Sequence, residues 1–251
     1  MIRTSGLEKR YGKFQALHPL DLHVKPGEVF GFLGPNGAGK TTTIRLLSGI
    51  LPPTAGTVTI DGIDMHADPV NAKGRIGYIP DRPYLYEKLT AREFLQFVGG
   101  LYGMKDGRIR SFGDELLRRN GLLEFADRLI EGYSHGMKQR LVLSAAQLHE
   151  PRLLIVDEPM VGLDPRGAKQ IKQVFRGIAE EGRTVFLSTH SLDTAQEVCD
   201  RLAIINRGRI IAQGTYAELR ESAQSDARDL EEVFLHILQE ESDGYGQGDA
   251  A

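Results

Sequence analysis

The sequence predicts an α/β fold built on a mostly parallel sheet, and three stretches carry that expectation. The run "GEVFGFLG" (27–34) is short, apolar and ends in glycine, and "PNGAGKTTTIRLLSGIL" follows it with Ile44, Leu46, Leu47 and Ile50 at helical spacing, which reads as strand, loop, helix. Two later runs, "RLLIVDEP" and "RTVFLSTH", are continuously apolar up to a polar end, the pattern of parallel strands covered on both faces. Polar residues at the carboxyl ends of such strands stand where open α/β sheets bind ligands.

The other elements follow in order. In "AGTVTIDG", Val58 and Ile60 alternate with Thr57, Thr59 and Asp61 between Gly56 and Gly62, as in a half-exposed strand of a sheet with one wet face. From about 88 to 150 the period becomes helical. There Thr90 and Glu93 fit a capping box, and Phe94, Phe97, Val98 and Leu101 make one apolar face. A final helix over about 228–241 puts Leu230, Val233, Phe234, Ile237 and Leu238 on one side, for packing on the body of the domain, and 242–251 reads as a small, polar, frayed tail. The expected organisation is one domain over 1–241, with its core from about 1–87 and 151–220 and a helical insertion over 88–150.

A chain of 251 residues, 41 % hydrophobic and 26 % charged, can bury a sizeable core. Its formal net charge of −3 argues against a polybasic surface, so no nucleic-acid partner is expected, and a polyanion would be held by a shaped site. With Cys199 as the single cysteine, no internal disulfide or thiolate metal cluster is expected, and the cytosol is the default compartment. No stretch approaches the ~18 consecutive apolar residues of a spanning helix, so any membrane crossing is expected of another chain.

The segment "GPNGAGKT" satisfies G-x-x-x-x-G-K-[ST] after a strand and at the opening of a helix, the context in which that spacing binds nucleotide phosphates. Gly34, Gly37 and Gly39 let the backbone turn N–H groups toward an anion, and the helix start adds partial positive charge. Gly34, Pro35, Asn36, Gly37, Ala38, Gly39, Lys40, Thr41 and Thr42 are therefore candidate nucleotide-binding residues, with Lys40 reaching the β- and γ-phosphates and Thr41 a ligand of Mg²⁺. Asp157 and Glu158, at a strand tip expected to neighbour this loop, are assigned to the metal and to the attacking water as general base. His190, at the end of the next apolar strand, is placed to contact the γ-phosphate and that water.

These pieces, in order, resemble the nucleotide-binding subunit of an ATP-binding-cassette (ABC) transporter, over about 2–219. The resemblance rests on "GPNGAGKTT", "YSHGMKQRL", "LLIVDEP", "GLDP" and "STH". It implies a phosphate-loop NTPase (RecA-like) core with an antiparallel β subdomain and an inserted α-helical subdomain. It also implies a head-to-tail dimer, with itself or a homologous ATPase subunit, closing two ATP molecules in its interface. Ser134, His135, Gly136 and Met137 would then meet nucleotide bound to the partner chain, Asp164 would cross the interface, and Tyr11, expected just before the first strands, would stack on adenine.

Two departures bear on function. His135, Gly136 and Met137 stand where the family usually has two glycines and a glutamine, and an imidazole there would make nucleotide binding sensitive to pH. Asp81 replaces a glutamine that in the family touches Mg²⁺ and links the site to the membrane partner, so altered coupling is expected more than lost binding. The stretch from Pro83 to Tyr86 is the candidate groove for a separately encoded integral membrane permease, although its aromatics could equally be core.

The function expected is an ATPase peripheral on the cytoplasmic face of the membrane. An export-type system with separate permease is favoured, because no long regulatory domain follows Leu219. A soluble cassette ATPase in cofactor assembly stays open, whereas a kinase or GTPase outside the family would have no use for "YSHGMKQRL". The transported substrate is not written in this chain.

Overall fold

The computed structural model describes residues 1–82, 84–160, 162–222 and 230–246, at 222 and 239–246 by backbone alone. The chain opens with β1 (Ile2–Tyr11), β2 (Phe14–Val24), β3 (Val29–Leu33), α1 (Lys40–Leu47), β4 (Ala55–Ile60) and β5 (Ile63–Asp64). Four of these strands form an antiparallel sheet in the order β2-β1-β4-β5. Val58 and Ile60 turn inward as their alternation requires. Tyr11 is not ahead of the first strands but ends β1, paired across the hairpin with Phe14.

There follow α2 (Pro69–Gly74), β6 (Ile76–Ile79), α3 (Ala91–Leu101), α4 (Asp106–Arg119), α5 (His135–Gln147), β7 (Leu153–Asp157), α6 (Pro165–Glu180), β8 (Thr184–Thr189), α7 (Leu192–Val198), β9 (Arg201–Asn206), β10 (Arg209–Gly214), α8 (Tyr216–Ser222) and α9 (Leu230–Gly246). The second sheet has the order β10-β9-β3-β8-β7-β6, parallel throughout except for the edge pair β10 and β9. Its central strands β3, β7 and β8 are buried at every position, which is why they read as unbroken apolar runs.

One core lies between the two sheets around α1, built from Phe30, Phe32, Phe186, Ile44 and Leu47 with the inner residues of β1, β2 and β4. A second is confined to the helical insertion, and a third packs α5 and α6 against β7 and β8. The capping box at the start of α3 is formed, with Thr90 accepting from the Glu93 N–H and Glu93 from the Thr90 N–H, a device worth about 1 kcal/mol.

The buried face of α3 differs from the expected one. Phe94 is buried, but it is joined by Ala91, Leu95 and Gly99, while Phe97 and Leu101 are 43 % and 71 % exposed. Ile109 of α4 explains the shift, since it approaches Gly99 so closely that a Cβ there would meet its Cγ1 at 2.6 Å, drawing the contact line to that side. Helix α9 docks through Leu230, Val233 and Ile237. It runs to Gly246, past the expected end, so 242–246 are helical where a frayed tail was expected, extending the turns anchored at the helix base. Residues 228–229 and 247–251 of the expected helix and tail lie outside the described residues.

Candidate functional site

The loop after β3 is shaped by two glycines in particular. At Gly34 a Cβ would stand 2.3 Å from the Ile205 carbonyl oxygen of β9, and Gly39, the N-cap of α1, has φ of 110°. Lys40 therefore starts α1 with its side chain curled under the loop. Its Nζ donates to the carbonyls of Gly34 at 2.7 Å and Pro35 at 3.2 Å, and lies 3.8 Å from Glu158 Oε1. Burial pushes the Lys40 pKa down, partly offset by Glu158 and Asp157.

The strand order refines the expected geometry. β8 separates β7 from β3, so the immediate neighbour of the loop-bearing strand is the Ser188–Thr189 tip, not the acidic one. Asp157 is bonded sideways by the Ser188 hydroxyl and by Thr41. Its pKa is raised by burial, against the lowering effect of those hydroxyls. Glu158 has φ of 49°, a backbone rarely adopted by a side-chain-bearing residue, and its N–H is held by the Ser188 carbonyl at 3.1 Å. That conformation aims its carboxylate between two cations or donors, Lys40 on one side and His190 Nδ1, 2.9 Å from Oε2, on the other.

These groups line one cleft of about 520 Å³, bounded by Tyr11, Phe14, Ala16, Pro35, Asn36, Gly37, Gly39, Lys40, Thr41, Thr42, Asp81, Asp157, Glu158 and His190. Of the loop residues singled out, Gly34 and Ala38 do not line it, because Gly34 is packed on β9 and Ala38 is buried. Phe14 and Ala16 were not named by the sequence reasoning. Phe14 pairs with Tyr11 across the hairpin and lines the cleft with it, a relation that depends on the pairing of β1 and β2.

Among the described residues no group of three or more His, Cys, Asp or Glu could hold a metal by itself. The donor set would suit Mg²⁺ on other terms: the Thr41 hydroxyl, the Asp157 carboxylate and Asp81 line one cleft and offer the hard oxygen donors that ion takes.

The "YSHGMKQRL" stretch stands apart from the cleft. Ser134 is the N-cap of α5, accepting from the Met137 N–H at 3.3 Å. Ser134 and His135 are exposed, whereas Met137 packs onto the helical core. Asp164 does not reach the cleft either, and caps α6 by accepting from the Gly167 N–H at 2.8 Å. Tyr84 and Tyr86, 87 % and 50 % exposed, line a second cleft with Leu85, Glu87, Lys88, Leu89 and Phe97, so they are not core; Pro83 lies outside the described residues.

Residues 17–161, more than half of the chain, match the ABC transporter family. The chain belongs to that family. Among curated relatives, the linearmycin resistance ATP-binding protein of Bacillus subtilis is 40 % identical over 87 % of this chain and 70 % of its own length. The daunorubicin/doxorubicin resistance ATP-binding protein of Streptomyces peucetius is 43 % identical over 90 % of this chain and 68 % of its own. Among solved structures, the ATP-binding subunit of an ABC transporter superposes with a TM-score of 0.88 at 32 % identity, covering 95 % of this chain and 99 % of that one. A dimeric ATP-binding cassette in a post-hydrolysis state with ADP and phosphate gives 0.78 at 25 % identity, covering 86 % and 98 %.

As an ABC cassette the chain binds and hydrolyses ATP and powers a membrane transporter. The cleft suits that chemistry, with a buried cation from the phosphate loop beside a strained carboxylate at the tip of β7. No helix among the described residues is long and apolar enough to cross a membrane.

Proposed function

We propose that the chain is the ATPase of an exporter with a separate permease, and that it works as a head-to-tail dimer closing two ATP molecules. The observation that carries the dimer is the division of the site. The cleft has a cation and an imidazole on either side of one carboxylate but lacks the "YSHGMKQRL" stretch, whose Ser134 and His135 are exposed elsewhere with a helix start and a hydroxyl to offer.

In this reading Lys40 leaves the Gly34 and Pro35 carbonyls for the β- and γ-phosphates, while Tyr11 stacks on adenine. Thr41 and Asp157, with Asp81, hold Mg²⁺, which neutralises phosphate charge when bound. Glu158 accepts the proton of the attacking water as its oxygen bonds to the γ-phosphorus and the bond to the β–γ bridging oxygen breaks. His190 keeps the Glu158 carboxylate aimed, through the 2.9 Å contact, and donates toward the γ-phosphate. Ser134 and the first N–H groups of α5 supply the partner's γ-phosphate with donors and the positive end of a helix of 13 residues.

The permease is assigned to the cleft around Tyr84, Tyr86 and Phe97, which joins the Asp81 loop to α3 and exposes three aromatic rings in edge contact. The names of the resistance relatives favour export. The test is recovery of tagged protein carrying Glu158→Gln from detergent-solubilised membranes. A polytopic membrane protein is expected to co-purify, and to be lost when Tyr84 and Tyr86 are replaced by Ala. Recovery of soluble proteins only, by protein that binds ATP, would overturn the transporter assignment of partner.

A further inference from the structure

The side chains that line the nucleotide cleft carry more negative than positive charge. Asp81, Asp157 and Glu158 stand against one ammonium, that of Lys40. Lys40 is already engaged, with its Nζ 3.8 Å from Glu158 Oε1 and bonded to the Gly34 and Pro35 carbonyls. A metal-free nucleoside triphosphate is a polyanion, so the loop N–H groups attract its phosphates while the carboxylates repel them.

The three carboxylates differ in how far their charge is compensated. Asp157 is buried, and the Ser188 and Thr41 hydroxyls donate to it. Glu158 lies between Lys40 and His190. Asp81 stands just past β6 and is exposed, and among the described residues its carboxylate accepts no hydrogen bond and joins no ion pair. Its charge still reaches the others: burial raises the Asp157 pKa most, and the charges of Glu158 and Asp81 both add to the rise. Asp81 is thus the least compensated charge of the lining, weakened only by the solvent that screens it.

What that charge does depends on what else is in the cleft. Against bare phosphates a carboxylate is repulsive. With Mg²⁺ between them it becomes a ligand, because that ion takes hard oxygen donors and reverses the local electrostatics. An uncharged side chain at position 81 would do neither as strongly.

We infer that Asp81 is a selectivity residue that keeps metal-free nucleotide out of the cleft and makes tight binding conditional on Mg²⁺. The inference rests on the reading above, in which Thr41, Asp157 and Asp81 hold the ion, and goes beyond it in giving Asp81 a part to play before any ion is bound. Nucleotide without the ion would fill the cleft unproductively, and the unpaired carboxylate makes it a weak competitor.

The test is equilibrium binding of a fluorescent, non-hydrolysable ATP analogue, the N-methylanthraniloyl derivative of β,γ-imido-ATP, to the full chain at constant ionic strength, once with excess Mg²⁺ and once with excess EDTA. The native chain is expected to bind about 50-fold more tightly with Mg²⁺ than with EDTA. In Asp81→Gln the ratio should shrink to about fivefold, because binding in EDTA tightens by about tenfold while binding in Mg²⁺ moves by less than about threefold. Asp81→Asn should match Asp81→Gln, and Asp81→Glu, which keeps the charge, should restore the native ratio. A merely structural role for Asp81 predicts the opposite direction, since a damaged loop weakens binding in both conditions. Equal ratios in the native chain and Asp81→Gln, with Mg²⁺ strengthening binding in both, or weaker binding of Asp81→Gln in EDTA, would overturn the selectivity and leave the metal reading standing. Affinities that do not respond to Mg²⁺ in either chain would overturn the metal reading, and the selectivity with it.

Discussion

The two parts of the chain proposed to face nucleotide are built by opposite means. At the strand tips, charge is crowded and internally compensated. Lys40 is held by two carbonyls and lies 3.8 Å from Glu158, Asp157 by two hydroxyls, and Glu158 by a backbone conformation that costs of order 1 kcal/mol. At the start of α5 charge is sparse: a serine caps the helix, Ser134 and His135 are exposed, and Gly136, Met137 and Lys138 are half-buried. The strained half carries the groups for chemistry, and in the dimer proposed here it leaves one side of the phosphate to the partner. The relaxed half can only bind, so the two are useful together and, in one chain, stand apart.

The comparison breaks most readily at Glu158. Replacing it by Gln removes the proton acceptor but leaves Lys40 and the loop, and turnover should fall by about 10²–10⁴-fold while nucleotide still binds. Turnover within a few-fold of native, measured as phosphate release, would place the base elsewhere. On the relaxed half, Gly136→Asp adds a carboxylate at a helix start proposed to face phosphate, and the added Cβ meets only an ordinary contact with Leu163. ATP-driven association should weaken by about tenfold or more. Unchanged association by sedimentation would remove α5 from the interface.

A smaller change sharpens the link to the membrane. Asp81→Gln restores an amide donor in a cleft that already holds Asp157 and Glu158, and should alter permease-stimulated turnover by about fivefold while ATP affinity moves less. Equal effects on both would make Asp81 a binding residue alone.

The smallest effect lies away from both halves. His149 stacks on Tyr102 at 3.7 Å, its Nε2 bonds the Ile76 carbonyl at 3.0 Å, and its buried Nδ1 has no partner. Burial pushes its pKa below the usual imidazole value, despite the bond to Ile76. The unfolded chain therefore takes up the proton first as pH falls, so this stabilisation is full above about pH 6.5 and is lost progressively below it. His149→Phe keeps a ring over Tyr102, and its melting temperature should drop less than that of the native chain between about pH 7.5 and about pH 5.5. Parallel drops would exonerate His149.

What could be read from the sequence was whatever is local in it. The phosphate loop, the acidic tip and His190 each sit within a few residues of an apolar strand, and all of them line the cleft except Gly34 and Ala38. The hairpin of β1 and β2 escaped notice because register shifts near Leu7 and Lys9 break its alternation, so Phe14 and Ala16 went unnamed. Strand order is not a local property either, and β8 was not expected between β7 and β3. On α3, spacing alone drew the apolar face through Phe97 and Leu101, whereas the core chose Leu95 and Gly99 because Ile109 fits there. The exposed remainder is where a partner is proposed.

The head-to-tail arrangement is tested most directly by cross-linking. Burial pushes the Cys199 thiol up to about 12, so the native chain is a quiet background for maleimides. Two single variants in the Glu158→Gln background, Asn36→Cys in the loop and Ser134→Cys at the start of α5, are mixed and treated with a short bismaleimide. The expected result is a covalent dimer formed from the mixture, dependent on ATP and scarce in either variant alone. A cross-link that forms as readily in the single variants, or none in the mixture with ATP bound, would contradict it.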